Sequence, residues 1–84
     1  MNKNYLKGVK KERKIKKEYE NKGWVVLRTA GSHGFADLIC VKHNPPYVLF
    51  IQCKPVNYSE KEREKILEKY KWVNGSKFVL FKVL

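Results

Sequence analysis

Asp37 is the only aspartate and Gln52 the only glutamine in a chain of 84 residues that carries 19 Lys and Arg against 8 Asp and Glu. Asp37 follows Gly31-Ser32-His33-Gly34-Phe35-Ala36, and Gln52-Cys53-Lys54 closes the apolar run Tyr47-Val48-Leu49-Phe50-Ile51. A carboxylate, an amide oxygen and an ammonium at strand ends suit metal-assisted hydrolysis of a phosphodiester. Mg²⁺ prefers hard oxygen ligands, keeps several waters and takes one or two protein carboxylates beside the substrate phosphate. Asp37 would be its principal ligand, Gln52 would offer its side-chain carbonyl, and the backbone carbonyl of Cys53 lies within reach. Lys54 would orient the attacking water or neutralise charge developing on phosphate oxygens. The plainer alternative is a structural ion pair between Asp37 and Lys54.

These residues need elements that bring them together. Residues 4–21 contain no proline, and Tyr5, Val9, Ile15 and Tyr19 fall on one side of a helical wheel. Glu12 lies within that stripe, where a carboxylate is expensive without a cation, a metal or a hydrogen-bond network. It could equally swing out at the helix edge or pair with a neighbouring lysine. Lys22-Gly23 ends the helix, glycine being the usual left-handed cap. Strands are expected over 24–29, 37–42 and 47–54, separated by the Gly31–Gly34 loop and by His43-Asn44-Pro45-Pro46. Such short connections imply an antiparallel meander. In that meander Asp37, at the start of one strand, meets Gln52 and Lys54 at the end of the next, while Cys53 points to the other face.

Pro55 stops the third strand, and Ser59-Glu60-Lys61-Glu62 has the form of a capping box that opens a second helix. Ile66, Leu67, Tyr70 and Val73 form its apolar stripe, Asn74-Gly75 ends it, and 77–84 reads as a final strand. The order is α-β-β-β-α-β. The length accommodates a single domain, 1–84, and the 43% hydrophobic content supports a packed core rather than a disordered basic tail.

A formal charge of +11 favours a polyanionic partner through phosphate contacts and counterion release. The excess concentrates in the first helix, where Lys7, Lys10, Lys11 and Arg13 are the candidate backbone contacts, with Arg28 and His33 beside the glycine loop. A histidine in a turn is more often simply solvated. The second helix, whose charges nearly cancel, could be only a solvated face. Cys40 and Cys53 form no CxxC pair, which argues against a zinc site or a secreted disulfide scaffold and for reduced thiols in a cytoplasmic protein. No run of apolar residues is long enough for a membrane span. Trp24 and Trp72 border apolar elements and read as core or interface anchors.

The matching pieces Lys7-Gly8-Val9-Lys10-Lys11-Glu12-Arg13, then 28–39, then Phe50-Ile51-Gln52-Cys53-Lys54 resemble the PD-(D/E)XK nuclease superfamily, and in particular the archaeal Holliday-junction resolvases. Gly31-Ser32-x-Gly34-x-x-Asp37 is the most specific of them. The resemblance implies an α+β restriction-endonuclease-like core, a mixed sheet flanked by helices. It also implies a magnesium-dependent DNA endonuclease, with manganese able to substitute, acting on branched or four-way DNA as a homodimer. The family's active-site roles fall on Glu12, Ser32, Asp37, Gln52 and Lys54. The departure is Gln52, where these resolvases usually carry glutamate. A nuclease on other DNA structures and a non-catalytic basic DNA-binding protein that keeps the fold remain the competing expectations.

Overall fold

The computed structural model describes residues 3–29, 36–44, 46–55 and 57–84, and the side chains within these from Val9 onward. The elements run α1 (Lys3–Asn21), β1 (Val25–Arg28), β2 (Leu38–His43), β3 (Pro46–Gln52), α2 (Glu60–Lys69), a 3₁₀ segment (Lys71–Gly75) and β4 (Val79–Val83). The sheet order is β1-β2-β3-β4. β1, β2 and β3 form the expected antiparallel meander, and β4 returns parallel to β3 after the helical crossover, giving a mixed sheet.

Helix α1 lies on one face of the sheet because its few apolar positions recur at helical spacing. Ile15 is buried, and Tyr19 packs against the same cluster of Val26, Leu38, Cys40, Leu49 and Ile51. The registers Val26↔Cys40↔Leu49 and Leu38↔Ile51 place those strand residues on a common face. The helix ends in a Schellman arrangement, with Gly23 N–H donating to Glu20 O at 3.0 Å and Trp24 N–H to Tyr19 O at 3.0 Å. Gly23 takes φ = 93°, a conformation open to glycine at little cost. Trp24 then stacks edge-on against Tyr19, ring centroids 6.0 Å apart.

The other face is covered at the β4 side by α2 and the 3₁₀ segment. Ser59 caps α2 as the sequence predicts: its hydroxyl accepts from Glu62 N–H at 3.2 Å, and the Glu62 carboxylate accepts from Ser59 N–H at 3.3 Å. The helix stops at Lys69, however, and does not run to Asn74-Gly75. Tyr70 leaves helical geometry (φ −111°, ψ 20°), and the tighter segment that follows drops Val73 into the core. Asn74 Oδ1 then accepts from Phe81 N–H at 2.9 Å, tying the turn to β4. Val73 and Phe81 are buried and Tyr70 packs edge-on against Phe81, whereas no residue of α2 itself is buried. Trp72 is 65% exposed and so is not a core anchor.

Candidate active site at the ends of β2 and β3

Asp37 sits one residue before β2, where two strands hold its backbone. Its N–H donates to Ile51 O at 2.8 Å, and its carbonyl accepts from Thr29 N–H at 3.0 Å. Thr29 Oγ1 adds a bond to Ala36 O at 2.7 Å, which fixes the turn into Asp37. The carboxylate is anchored as well, because Oδ2 accepts from Cys53 N–H at 2.7 Å. This bond joins the start of β2 to the segment just past β3, the meeting that the meander predicted.

Gln52 is the last residue of β3, and its Oε1 is buried with no hydrogen-bond partner among the described residues. An unsatisfied buried acceptor costs about 1–3 kcal/mol, a penalty that a cation placed at the oxygen would remove. Among the described residues no group of three or more His, Cys, Asp or Glu side chains could hold a metal. The donors at hand are oxygens, the carboxylates of Asp37 and Glu12, the Gln52 amide and a main-chain carbonyl, which suit a hard ion such as Mg²⁺ rather than zinc. The residues present fit that ion.

Lys54 departs from expectation. Its ammonium forms no ion pair with Asp37. It lies over the Tyr58 ring, 5.5 Å from the centroid. Asp37 already has a donor in the Cys53 amide, and the aromatic face supplies the lysine with a partner in the loop that follows β3.

Glu12 finds a cation across the interface between α1 and the sheet. Arg28 shares the α1 face of the sheet with its pairing partner Leu38, and its Nε donates to Glu12 Oε2 at 2.8 Å. The glutamate side chain is only 19% exposed, so the partner that its inward position demanded is present. Arg28, expected on phosphate, is thus engaged within the protein. Lys11 is also turned inward, and its Nζ donates to the backbone carbonyl of Lys54. Lys10 and Arg13 are exposed on α1.

The thiol of Cys53 registers how these charges gather. Burial pushes it up to about 12, the nearby Asp37 and Glu12 carboxylates push the same way, and the Lys11 ammonium opposes them. Burial alone raises Cys40 to about 11. Both cysteines are free.

The structure joins the Asp37 carboxylate to the Cys53 amide and brings Glu12 and Lys11 of α1 toward that same segment, in which Gln52 and Lys54 flank Cys53. Ser32, His33 and the side chain of Lys7 lie outside the described residues. Thr29 and Tyr58 were not legible as site residues in the sequence. A hydroxyl residue closing a strand before a glycine loop was the available signal for Thr29; Tyr58 had none, since its ring meets Lys54 only through the path of the loop.

One helix over an antiparallel meander, a fourth strand parallel to the third, and an acid and amide-x-lysine set at the strand ends define a PD-(D/E)XK-type nuclease core. A family model described as archaeal Holliday junction resolvase (Hjc) matches residues 3–83. The chain belongs to that family: it is a nuclease of the Holliday-junction-resolvase kind, whose substrate is branched DNA. Comparison with curated proteins and with solved structures finds no match. Among the described residues, no helix is long and apolar enough to cross a membrane.

Proposed function

We propose that the chain is a Mg²⁺-dependent endonuclease that nicks two symmetry-related strands of a four-way DNA junction as a homodimer. The observation that carries the metal dependence is the buried Oε1 of Gln52, which has no partner among the described residues and lies one residue from the amide that anchors Asp37. Asp37, Gln52, the Cys53 carbonyl and Glu12 would hold the ion, with Mn²⁺ able to replace it. When bound, the ion would acidify a water and polarise the phosphate.

The chain's own groups do the rest. Asp37 is held in place by the Cys53 amide, so its carboxylate needs no reordering when substrate arrives. Lys54 rests on an aromatic face, an interaction of about 0.5–1 kcal/mol at a partly exposed position, and can exchange it for a phosphate oxygen. There it would neutralise charge that develops as the phosphodiester opens. Ser32 would contact the scissile phosphate, and Lys7, Lys10, Arg13 and His33 would lie along the DNA backbone. A junction offers two equivalent strands, and a twofold dimer offers two sites.

The test incubates the protein with labelled four-way junction, linear duplex and single strand, in Mg²⁺ or EDTA, beside Asp37→Asn. Paired symmetric nicks in the junction alone, absent in EDTA and in Asp37→Asn, support the proposal. Cutting of every substrate would reassign it to other DNA structures. Tight binding without a metal-dependent product would mark Gln52 as the sign of a nuclease that has lost its chemistry. Light scattering coupled to gel filtration decides the dimer: a mass near 20 kDa is expected, against the 10.0 kDa of one chain.

A further inference from the structure

Lysines on α1 read from sequence as interchangeable phosphate contacts, but they do not face the same way. Lys10, Lys14 and Lys17 are exposed, whereas Lys11 is half-buried. It stands one turn before the buried Ile15 and two before Tyr19, on the inward stripe of the helix. Its ammonium binds the carbonyl of Lys54 in a partly buried contact.

That carbonyl belongs to the segment on which the site depends. β3 ends at Gln52, and the next two residues are held from several sides. β4 holds one side, with Leu84 N–H donating to Gln52 O at 2.9 Å and Lys54 N–H donating to Leu84 O at 2.7 Å. Asp37 holds Cys53 N–H. Lys11 supplies the attachment from α1, reaching across 43 positions of sequence.

We propose that Lys11 is a positioning residue of the nuclease site, fastening the Gln52-Cys53-Lys54 segment to α1 through the Lys54 carbonyl, and not a DNA contact. The inference rests on the endonuclease reading above. Releasing the carbonyl would leave Asp37, Gln52 and Lys54 present but imprecisely placed relative to one another. Loss of such a supporting bond typically lowers activity or metal affinity by about 10- to 100-fold.

The experiment compares wild type, Lys11→Met and Lys11→Arg by three measurements. In junction nicking, Lys11→Met should lower kcat by about 10- to 100-fold with KM little changed, and Lys11→Arg, which keeps a cationic donor, should recover most of the rate. In EDTA, the salt dependence of junction binding should be unchanged in Lys11→Met, whereas a lost phosphate contact lowers the slope by about 1, as Lys10→Met should. Amide exchange over 51–54 should quicken in Lys11→Met while the Leu38–Val41 amides stay protected. A Lys11→Met protein with wild-type kcat, with a reduced salt slope, or with unchanged exchange at 51–54 overturns the proposal. If Lys11→Met does not fold, Lys11→Gln replaces it in all three measurements. If wild type itself shows no metal-dependent nicking, the endonuclease reading fails, and exchange at 51–54 alone decides whether Lys11 holds the segment.

Discussion

Helix α1 turns Lys11 and Glu12 toward the site and buries Ile15, whereas α2, also rich in lysine and glutamate, buries no residue and is secured by its Ser59–Glu62 capping box. The two helices use similar residues for different ends. In α1 the side chains that matter reach other elements: Glu12 to Arg28 on β1, Lys11 to the end of β3, Tyr19 to Trp24. In α2 the cap is made between residues three apart, and Arg63 ties the helix to the backbone at Pro55 and Val83. Charge composition distinguishes a basic α1 from a nearly neutral α2, but it does not say which side chains reach a site. Position relative to the strand ends does.

The contrast is sharpest where α1 meets the catalytic groups. Asp37→Asn keeps an acceptor for the Cys53 amide but removes the charge, and nicking should fall by on the order of 10³-fold, the scale of a lost metal contribution of several kcal/mol. Ser59→Ala on α2 should cost about 1 kcal/mol of stability and leave the nicking rate intact at temperatures where the protein stays folded. A comparable loss of rate in the two variants would break the comparison.

Stability should divide the helices in the same way. Ile15→Ala removes a buried side chain of the core and should destabilise by about 2–4 kcal/mol. Leu67→Ala, at a position on α2 that is 38% exposed, should cost less than about 1 kcal/mol. Urea denaturation of both variants measures the difference, and equal shifts would show that α2 contributes more to the core than its burial implies.

Gln52→Glu sharpens the comparison from the β3 side. It restores a carboxylate beside Asp37 and should lower the Mg²⁺ concentration for half-maximal nicking by about 10-fold. A metal titration that shows no change would remove Gln52 from the ligand set.

The smallest effect concerns pH and again falls under α1, since both thiols belong to or border its core cluster. Cys40 and Cys53 are raised from 9.0 to about 11 and about 12 in the fold. The unfolded chain therefore releases these protons first as pH rises. Their contribution to stability is fully present below pH 9.0 and is lost progressively toward pH 11–12. Denaturant midpoints at pH 8 and pH 10.5 should fall further apart for wild type than for Cys53→Ala. Equal separations would show that the Cys53 thiol does not ionise differently on folding.

Much of this was written in local pattern. Gly23 marks the end of α1, Ser59-x-x-Glu62 marks the start of α2, and short connections made β1, β2 and β3 a meander. Glu12 on the apolar stripe announced a need for a cation, but the sequence could not select Arg28 over a nearby lysine, because that choice depends on Arg28 sharing the α1 face of the sheet. The plainer alternative, an Asp37–Lys54 ion pair, is not formed for a similar reason. Residues that share a strand end can still be satisfied by the backbone and by a loop, and Asp37 takes the Cys53 amide while Lys54 takes the Tyr58 ring. The length of α2 was misread because a continuous apolar stripe does not reveal where β4 pulls Val73 inward.

The sequence by itself determined the order of elements, the basic character of the chain and the residue types able to bind a hard cation and a phosphate, since these follow from short-range periodicity, turn chemistry and ligand preference. Only the tertiary structure decided which of those residues are held, and by what. Lys11 and Lys10 are adjacent and chemically identical, yet one is fastened to a carbonyl at the end of β3 and the other lies exposed. The rotation of α1 against the sheet, set by the burial of Ile15 and Tyr19, separates them.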